Sequence, residues 1–446
     1  MNVLVEPRRF TGTVRIPASK SHTIRRLLIA SLGDGVSEID YPLDSLDARS
    51  CAAACRALGA VIEEHWAGDP SCPNPADGEG KKLVRWIVKG GAFQRRGGNG
   101  SISIDVGNSG TTLFLFLAAA ALGSVPVRFD GDGQIRRRGA GPLLEALSAL
   151  GAQVEAAPGG CVPALVRGPW KGGRVSIPCP TSQYLSALLL AAPLAPAGTL
   201  TGIDVPLLNE KPYIGMTLAY LDAQGIPYEK KEDLSWFRVP GGASYRPVKG
   251  PVPGDFSSAA FPAAAAAIGG GPLTLLGLDP GDTQGDKAFF DFLAKMGCQV
   301  SWNPSVPALT VSRNGTLRGG EFDLNSTPDM LPACAAVAAF AQGDTSLVNA
   351  AHARIKETDR IAVMAAELGK LGVKVTQRPD GLVIHGGAAG PPRGGNVEGH
   401  GDHRIVMALA AAALGAAGPV EIRGAESAAV TYPGFLELIG ALPKGE

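Results

Sequence analysis

Neither sign of charge prevails in this sequence: its 446 residues carry 41 Lys and Arg against 41 Asp and Glu. Nucleic-acid binders rely on a basic excess or stripe to meet phosphates, so that class of partner is not expected. The one tight basic cluster is Arg136-Arg137-Arg138, a pattern usual in solvated loops. Long apolar runs are missing too. The longest, such as residues 113–122, fall short of the roughly 20 residues a membrane span needs. The N-terminal MNVLVEPRRF has no basic segment followed by an apolar one, so no secretory signal is read. The seven cysteines form no CxxC pair, which points to free thiols in a reducing compartment. His400 and His403 could supply half a metal site, but no further ligand cluster with zinc-like spacing accompanies them, and no metal is expected. GxSxG and GxxxxGK[ST] are both absent, which leaves hydrolase-elbow and P-loop chemistry without support. These absences describe a soluble, cytoplasmic protein with neither membrane nor nucleic acid as partner.

Apolar residues make up 45% of the chain, and 60 Gly and 35 Pro are spread between the apolar segments. The length suits two or three domains with many turns. One stretch departs from this, a loop-rich insertion expected at residues 67–100 around the strand-like LVRWIVKG.

A pattern of amphipathic stretch, glycine and short alternating run recurs at residues 55–64, 143–156, 217–229, 289–302 and 364–377, and in truncated form at 435–443. Leucine-like residues at i, i+3, i+4 and i+7 give each copy a helical period, and the glycine suits a left-handed C-cap. The runs that follow, such as VKVTQ, alternate as half-buried strands do. Spacing of roughly 70 residues between most copies implies six related α/β units, which two clusters of three would gather into two lobes.

A second feature lies at helix starts. Small hydroxyl or amide residues open five apolar segments, at residues 18–21, 107–112, 180–183, 254–258 and 401–404. Ordinary N-capping accounts for any one of them. With Lys20, Arg25, Arg138 and Arg404 in or near these segments, the set reads as a site for a strongly anionic substrate.

The segment 352–360, HARIKETDR, has six ionisable side chains in nine positions. Lys356 and Arg360 are four apart and share one helix face if the helix has begun by then. Glu357 beside them is a candidate general acid/base. Asp329, at the mouth of the apolar segment MLPACAAVAAF, is another.

In order, SKS with Arg25, GNSGTT at 107–112, Arg138, Ser182-Gln183, KPYI at 211–214, Pro328-Asp329, RIKETDR at 354–360 and DHR at 402–404 resemble the motifs of the EPSP synthase family of enolpyruvyl transferases. The likeness spans nearly the whole chain. It implies a two-lobed inside-out α/β barrel of six βαβαββ repeats, three per lobe. Residues 1–18 and 254–446 would form the lobe containing both termini, 19–253 the inserted lobe, and the active site would lie in the cleft between them. The reaction implied is transfer of the enolpyruvyl group of phosphoenolpyruvate to the 5-hydroxyl of shikimate 3-phosphate, by a monomer without cofactor. The resemblance assigns proton transfer to Asp329 and Glu357, assisted by Lys20. It assigns shikimate 3-phosphate to Lys20, Ser21, Arg25, Thr181, Ser182, Gln183, Asp329, His352 and Lys356. Phosphoenolpyruvate would meet Lys20, Asn108, Gly110, Arg138, Gln183, Arg360 and Arg404.

Departures from the family pattern bear on this. A Lys common before the C-terminal aromatic-Pro pair is Val430 here, and an Arg common after GTT is Phe114. His352 stands where some members have Asn, Glu210 where some have Ser, and Gly139 where Pro is common. Arg136 or Arg137 could offset a lost cation. It could instead mean weak phosphoenolpyruvate binding or a changed acceptor, such as a nucleotide or nucleotide sugar, and a further reading is an impaired paralogue that only binds anions.

Overall fold

The computed structural model describes residues 1–68, 81–91, 100–387 and 390–444. Its chain divides into two compact units, Met1–Ser19 with Pro253–Glu446, and Lys20–Val252. Of the insertion expected at 67–100, residues 69–80 and 92–99 lie outside the described residues. The strand Lys81–Lys89 stands between them, antiparallel to both Val36–Asp40 and Val61–Gly68.

Six four-stranded sheets are present among the described residues, all built to one plan. In the sheet of Ile102–Asp105, Val127–Asp130, Cys161–Arg167 and Gln153–Ala157, the first pair is parallel and the other pairs are antiparallel. Parallel neighbours need a helical crossover and antiparallel ones only a turn, so the repeat is βαβαββ.

Three sheets borrow a strand from the far end of their unit's chain. Asn2–Val5 lies between Val420–Arg423 and Leu442–Lys444. Gly12–Arg15 runs parallel to Leu273–Leu276. Lys249–Pro251 runs parallel to Val36–Asp40. Where the chain leaves and re-enters the first unit, the two segments are tied together. The Ser19 amide donates to the Pro253 carbonyl at 2.8 Å and the Asp255 amide to that of Pro17 at 2.9 Å.

Among the described residues twelve α-helices connect the strands: α1 (Lys20–Leu32), α2 (Leu46–Ala57), α3 (Gly110–Ala120), α4 (Gly141–Ala149), α5 (Ser182–Ala191), α6 (Lys211–Gln224), α7 (Phe256–Gly269), α8 (Ala288–Lys295), α9 (Leu331–Ala338), α10 (Arg360–Lys370), α11 (His403–Ala413) and α12 (Phe435–Leu438). They fall into two kinds. Each odd-numbered helix follows a strand that stands at the parallel edge of a sheet. Every residue of α3, α9 and α11 is buried. Helices apolar all round can only be interior, and the alanine runs of α7, α9 and α11 let these three pack on one another closely. The even-numbered helices cover sheets with one face. In α10 that face is Arg360, Ile361, Met364, Glu367 and Leu368, a helical period.

The two kinds of helix set up the chemistry. An interior helix has no apolar partner missing, but its first N–H groups have none of their own. The polar residues that begin the odd-numbered helices are therefore the place where each apolar core meets charge.

Candidate active site

In the unit of Met1–Ser19 and Pro253–Glu446, the expected helix around RIKETDR starts later than its sequence suggests. A short 3-10 turn, Ala351–Ile355, comes first. Asp359 then caps α10, accepting from the Ala362 amide at 3.0 Å. Lys356 precedes the helix, so Lys356 and Arg360 do not share a helix face. The local reason is the cap: an Asp side chain that takes an N-terminal amide ends the preceding chain direction.

Both cations nevertheless reach one carboxylate. Arg360 Nη1 lies 2.8 Å from Asp329 Oδ1, and Lys356 Nζ 3.6 Å from the same oxygen. Arg404 Nη2 meets Asp329 Oδ2 at 3.1 Å. Arg360 also donates from Nη2 to Glu357 Oε2 at 2.5 Å and from Nε to Asp402 Oδ2 at 2.8 Å. Asp402 caps α11 as well, taking the Arg404 amide at 2.9 Å on Oδ1. Thr358 Oγ1 adds a bond to its Oδ2 at 3.1 Å. Lys356, Arg360 and Arg404 are thus set against Asp329, Glu357 and Asp402, three charges of each sign.

Arg360 is 1% exposed and Asp402 fully buried. Burial by itself would lower the pKa of the guanidinium. The charges of Asp402, Glu357 and Asp329 outweigh that and raise it above the ordinary arginine value. The cation is permanent, and so is its demand for carboxylates.

Asp286 was not foreseen from the sequence. It is buried beside the start of α7, where the Ser257 hydroxyl donates a short hydrogen bond to it. Its carboxyl is pushed up to about 6, by burial first and then by the charge of Asp329, with Arg404 opposing. Neighbouring Gln284 takes the Phe256 amide at 3.0 Å and donates to the Gly254 carbonyl at 2.9 Å. The TQGDK stretch reads as a plain turn, so only tertiary placement reveals it. His352, also buried, meets the Asn325 carbonyl through Nε2 at 3.1 Å.

The unit Lys20–Val252 holds the other expected residues at its helix starts. Lys20 opens α1 and pairs with Asp47 at 3.0 Å. Arg25, one turn on, is buried and, among the described residues, bonded to neutral groups only. Its guanidinium reaches Thr217 Oγ1 at 3.1 Å, Ser186 Oγ at 3.3 Å and the carbonyls of Ser21 and Tyr213 at 3.2 and 3.5 Å. Burial lowers its pKa to about 10.

Gly110 opens α3 against Arg138. A Cβ there would lie 2.7–2.8 Å from the guanidinium, so only glycine leaves Arg138 in place. Gln183 Nε2 donates to Thr111 Oγ1 at 2.9 Å, joining the starts of α3 and α5. Asn108 donates to Gln134. Thr181 and Ser182, which begin α5, converge on the Glu210 carboxylate. The expected residues therefore gather into two sets, one in each unit.

The departures have structural outcomes. Phe114 is buried, edge to face with Tyr184 at 5.0 Å, and the Tyr184 hydroxyl donates to the Gly139 carbonyl at 2.6 Å. Apolar packing occupies that position. Val430 ends the turn Ala425–Val430 and is half-buried. Arg136 makes a two-point pair with Asp130, both contacts at 2.8 Å, which leaves its charge already met. Among the described residues no group of three His, Cys, Asp or Glu is placed to hold a metal ion.

Two outcomes follow for stability. Arg360→Met, which keeps the volume and removes the charge, takes away the one cation that Asp329, Glu357 and buried Asp402 share and costs about 3–5 kcal/mol at pH 7. Denaturant titration measures this. The loss should shrink by pH 4, because unmatched carboxylates take up protons on folding. For Asp286 the folded pKa of about 6 lies above the ordinary 3.8. Its burial costs nothing below the lower value, and the cost grows as pH rises to the higher one. Asp286→Asn should therefore stabilise the protein by up to about 3 kcal/mol at pH 8 and not at all below pH 4. An equal effect at both pH values would contradict the assignment.

Comparison with known proteins fits this geometry. The profile of the EPSP synthase (3-phosphoshikimate 1-carboxyvinyltransferase) family matches residues 4–439. The 3-phosphoshikimate 1-carboxyvinyltransferase of Acetivibrio thermocellus is 45% identical, over 98% of this chain and 97% of that one. Its counterpart in Ruminiclostridium cellulolyticum is 43% identical, over 98% of each. Among solved structures, the EPSP synthase of Acinetobacter baumannii superposes with a TM-score of 0.78 at 26% identity, over 100% of both chains. The enolpyruvyl transferase NikO of Streptomyces tendae, 19% identical over 99% and 98%, shares the fold with a TM-score of 0.74. By sequence over its whole length and by fold, the chain belongs to the EPSP synthase, or 3-phosphoshikimate 1-carboxyvinyltransferase, family.

Proposed function

We propose that this protein transfers the enolpyruvyl group of phosphoenolpyruvate to the 5-hydroxyl of shikimate 3-phosphate and releases inorganic phosphate, in the synthesis of aromatic amino acids. The observation that carries the reading is the charge cluster on Asp329, where Lys356, Arg360 and Arg404 converge and Glu357 shares Arg360. The reaction needs two proton-transfer groups and fixed cations for several anionic groups, and this cluster has both.

In the proposed sequence, the acceptor oxygen bonds to C2 of the donor while its proton goes to a base, and C3 gains a proton. The tetrahedral adduct then loses a proton from C3 as the C2–O bond to phosphorus breaks. Asp329 and Glu357 carry these protons, with Lys20 assisting. Lys20, Ser21, Arg25, Thr181, Ser182, Gln183, His352 and Lys356 hold shikimate 3-phosphate together with Asp329. Asn108, Gly110, Arg138, Gln183, Arg360 and Arg404 receive phosphoenolpyruvate with Lys20. Arg360 is surrounded by carboxylates, so its larger effect is to hold Asp329 and Glu357 at fixed positions, and substrate reaches it when one of them turns away. The reading is of a cytoplasmic monomer, and the six described cysteines are free, as suits a reducing compartment.

Phosphate release from phosphoenolpyruvate is the direct assay. It should require shikimate 3-phosphate. Release sustained by a nucleotide sugar instead would transfer the reading to another acceptor, and binding of both substrates without release would mark an impaired paralogue. Glu357→Gln and Asp329→Asn should each lower kcat by about 10²- to 10⁴-fold. Gly110→Ala should raise KM for phosphoenolpyruvate more than for the acceptor, because its methyl group displaces Arg138. A variant with both KM values unchanged would remove Gly110 and Arg138 from the donor site.

A further inference from the structure

Glu210 holds a place that its own charge makes contested. Its Oε2 accepts from Thr181 Oγ1 at 3.1 Å, from the Ser182 amide at 3.0 Å and from Ser182 Oγ at 2.9 Å. These are the first donors of α5, at the positive end of the helix dipole. The carboxylate is not there by loose contact. Residues 208 and 209 are pinned alongside 179 and 180, with the Asn209 amide on the Cys179 carbonyl at 3.1 Å and Asn209 Nδ2 on that of Pro180 at 3.3 Å. Glu210 itself takes a left-handed φ of 57° and is 3% exposed.

An independent feature beside it also calls for an anion. Arg25 is buried with only neutral groups on its guanidinium, and two of these, Ser186 and the Tyr213 carbonyl, lie one turn into α5 and α6. A buried cation bonded to neutral groups alone is costly unless a ligand brings the opposite charge.

We propose that Glu210 is a built-in competitor for the phosphate of the acceptor. Its carboxylate holds the donors of Thr181 and Ser182, and must turn out before a phosphorylated acceptor can take them. This rests on the assignment of Thr181 and Ser182 to shikimate 3-phosphate. Two anions on the same three donors repel strongly, so Glu210 sets acceptor affinity and makes the seat selective for an anion strong enough to displace it. Glu210 is then a specificity-determining residue, and its carboxylate keeps the start of α5 satisfied.

The test compares wild type with Glu210→Gln, which retains an acceptor oxygen without charge, and Glu210→Ser, which empties the seat. Steady-state kinetics should show KM for shikimate 3-phosphate falling about tenfold or more in both variants, with KM for phosphoenolpyruvate little changed. Inorganic phosphate alone is the second probe. It should raise the melting temperature of each variant more than that of wild type, while the phosphate-free variants melt lower than wild type. If KM for shikimate 3-phosphate and the phosphate-induced shift are unchanged or move the other way in variants that fold, Glu210 does not compete and the proposal fails with the enzymatic reading intact. If wild type ignores shikimate 3-phosphate altogether, it is that reading which falls, and the phosphate shift still decides whether Glu210 blocks an anion seat.

Discussion

The guanidinium of Arg360 is out of water, and a charge in that position must be met by opposite charge or the fold bears several kcal/mol. Three carboxylates from three different segments meet it: Asp329 ahead of α9, Glu357 ahead of α10 and Asp402 at the cap of α11. Through these contacts one side chain sets the separation of helix starts that are 31 to 42 residues distant in sequence. Asp402 meets Arg360, the Thr358 hydroxyl and the amide of Arg404, so the orientation of α11 and the position of Arg404 depend on the same carboxylate. Low dielectric strengthens each of these contacts and makes the removal of any one costly.

The repeat explains why charge collects there. Six interior helices, apolar along most of their length, can place polar residues only at their ends. Each helix start also brings unsatisfied N–H groups and a positive dipole end. In the unit Lys20–Val252 the same logic yields Lys20 at α1, Gly110 at α3 and Ser182 at α5. The internal partners found there, Asp47 for Lys20 and Glu210 for Ser182, are carboxylates. In both units donors at helix starts are met by the protein's own carboxylates, and among the described residues Arg25 is bonded to neutral groups.

Much of the architecture was legible before any coordinates. Periodicity with a following glycine marked six α/β units, because a helical stripe and a strand alternation are written in neighbouring residues. The ordered motifs identified the family for the same reason: SKS, GNSGTT and RIKETDR are contiguous. Local reading left a question open where a cap intervened. Lys356 and Arg360 look like one helix face, but Asp359 takes the Ala362 amide and starts the helix after Lys356. Phe114 reads as a lost cation, and in the fold it is core, packed on Tyr184.

What the sequence by itself determined is the set of elements and their chemistry: which stretches must be interior, which residues begin the helices, and that cations and carboxylates recur at those starts. These follow from local propensity and from the exclusion of apolar surface from water. Only the tertiary structure decided which charge faces which. Asp402 on Arg360, Asp286 under Ser257, Asp47 on Lys20 and Glu210 on Ser182 join residues 27 to 42 positions apart or lie in plain turns. Pairing over such separations depends on how helices pack in three dimensions, and no pattern along the chain encodes it.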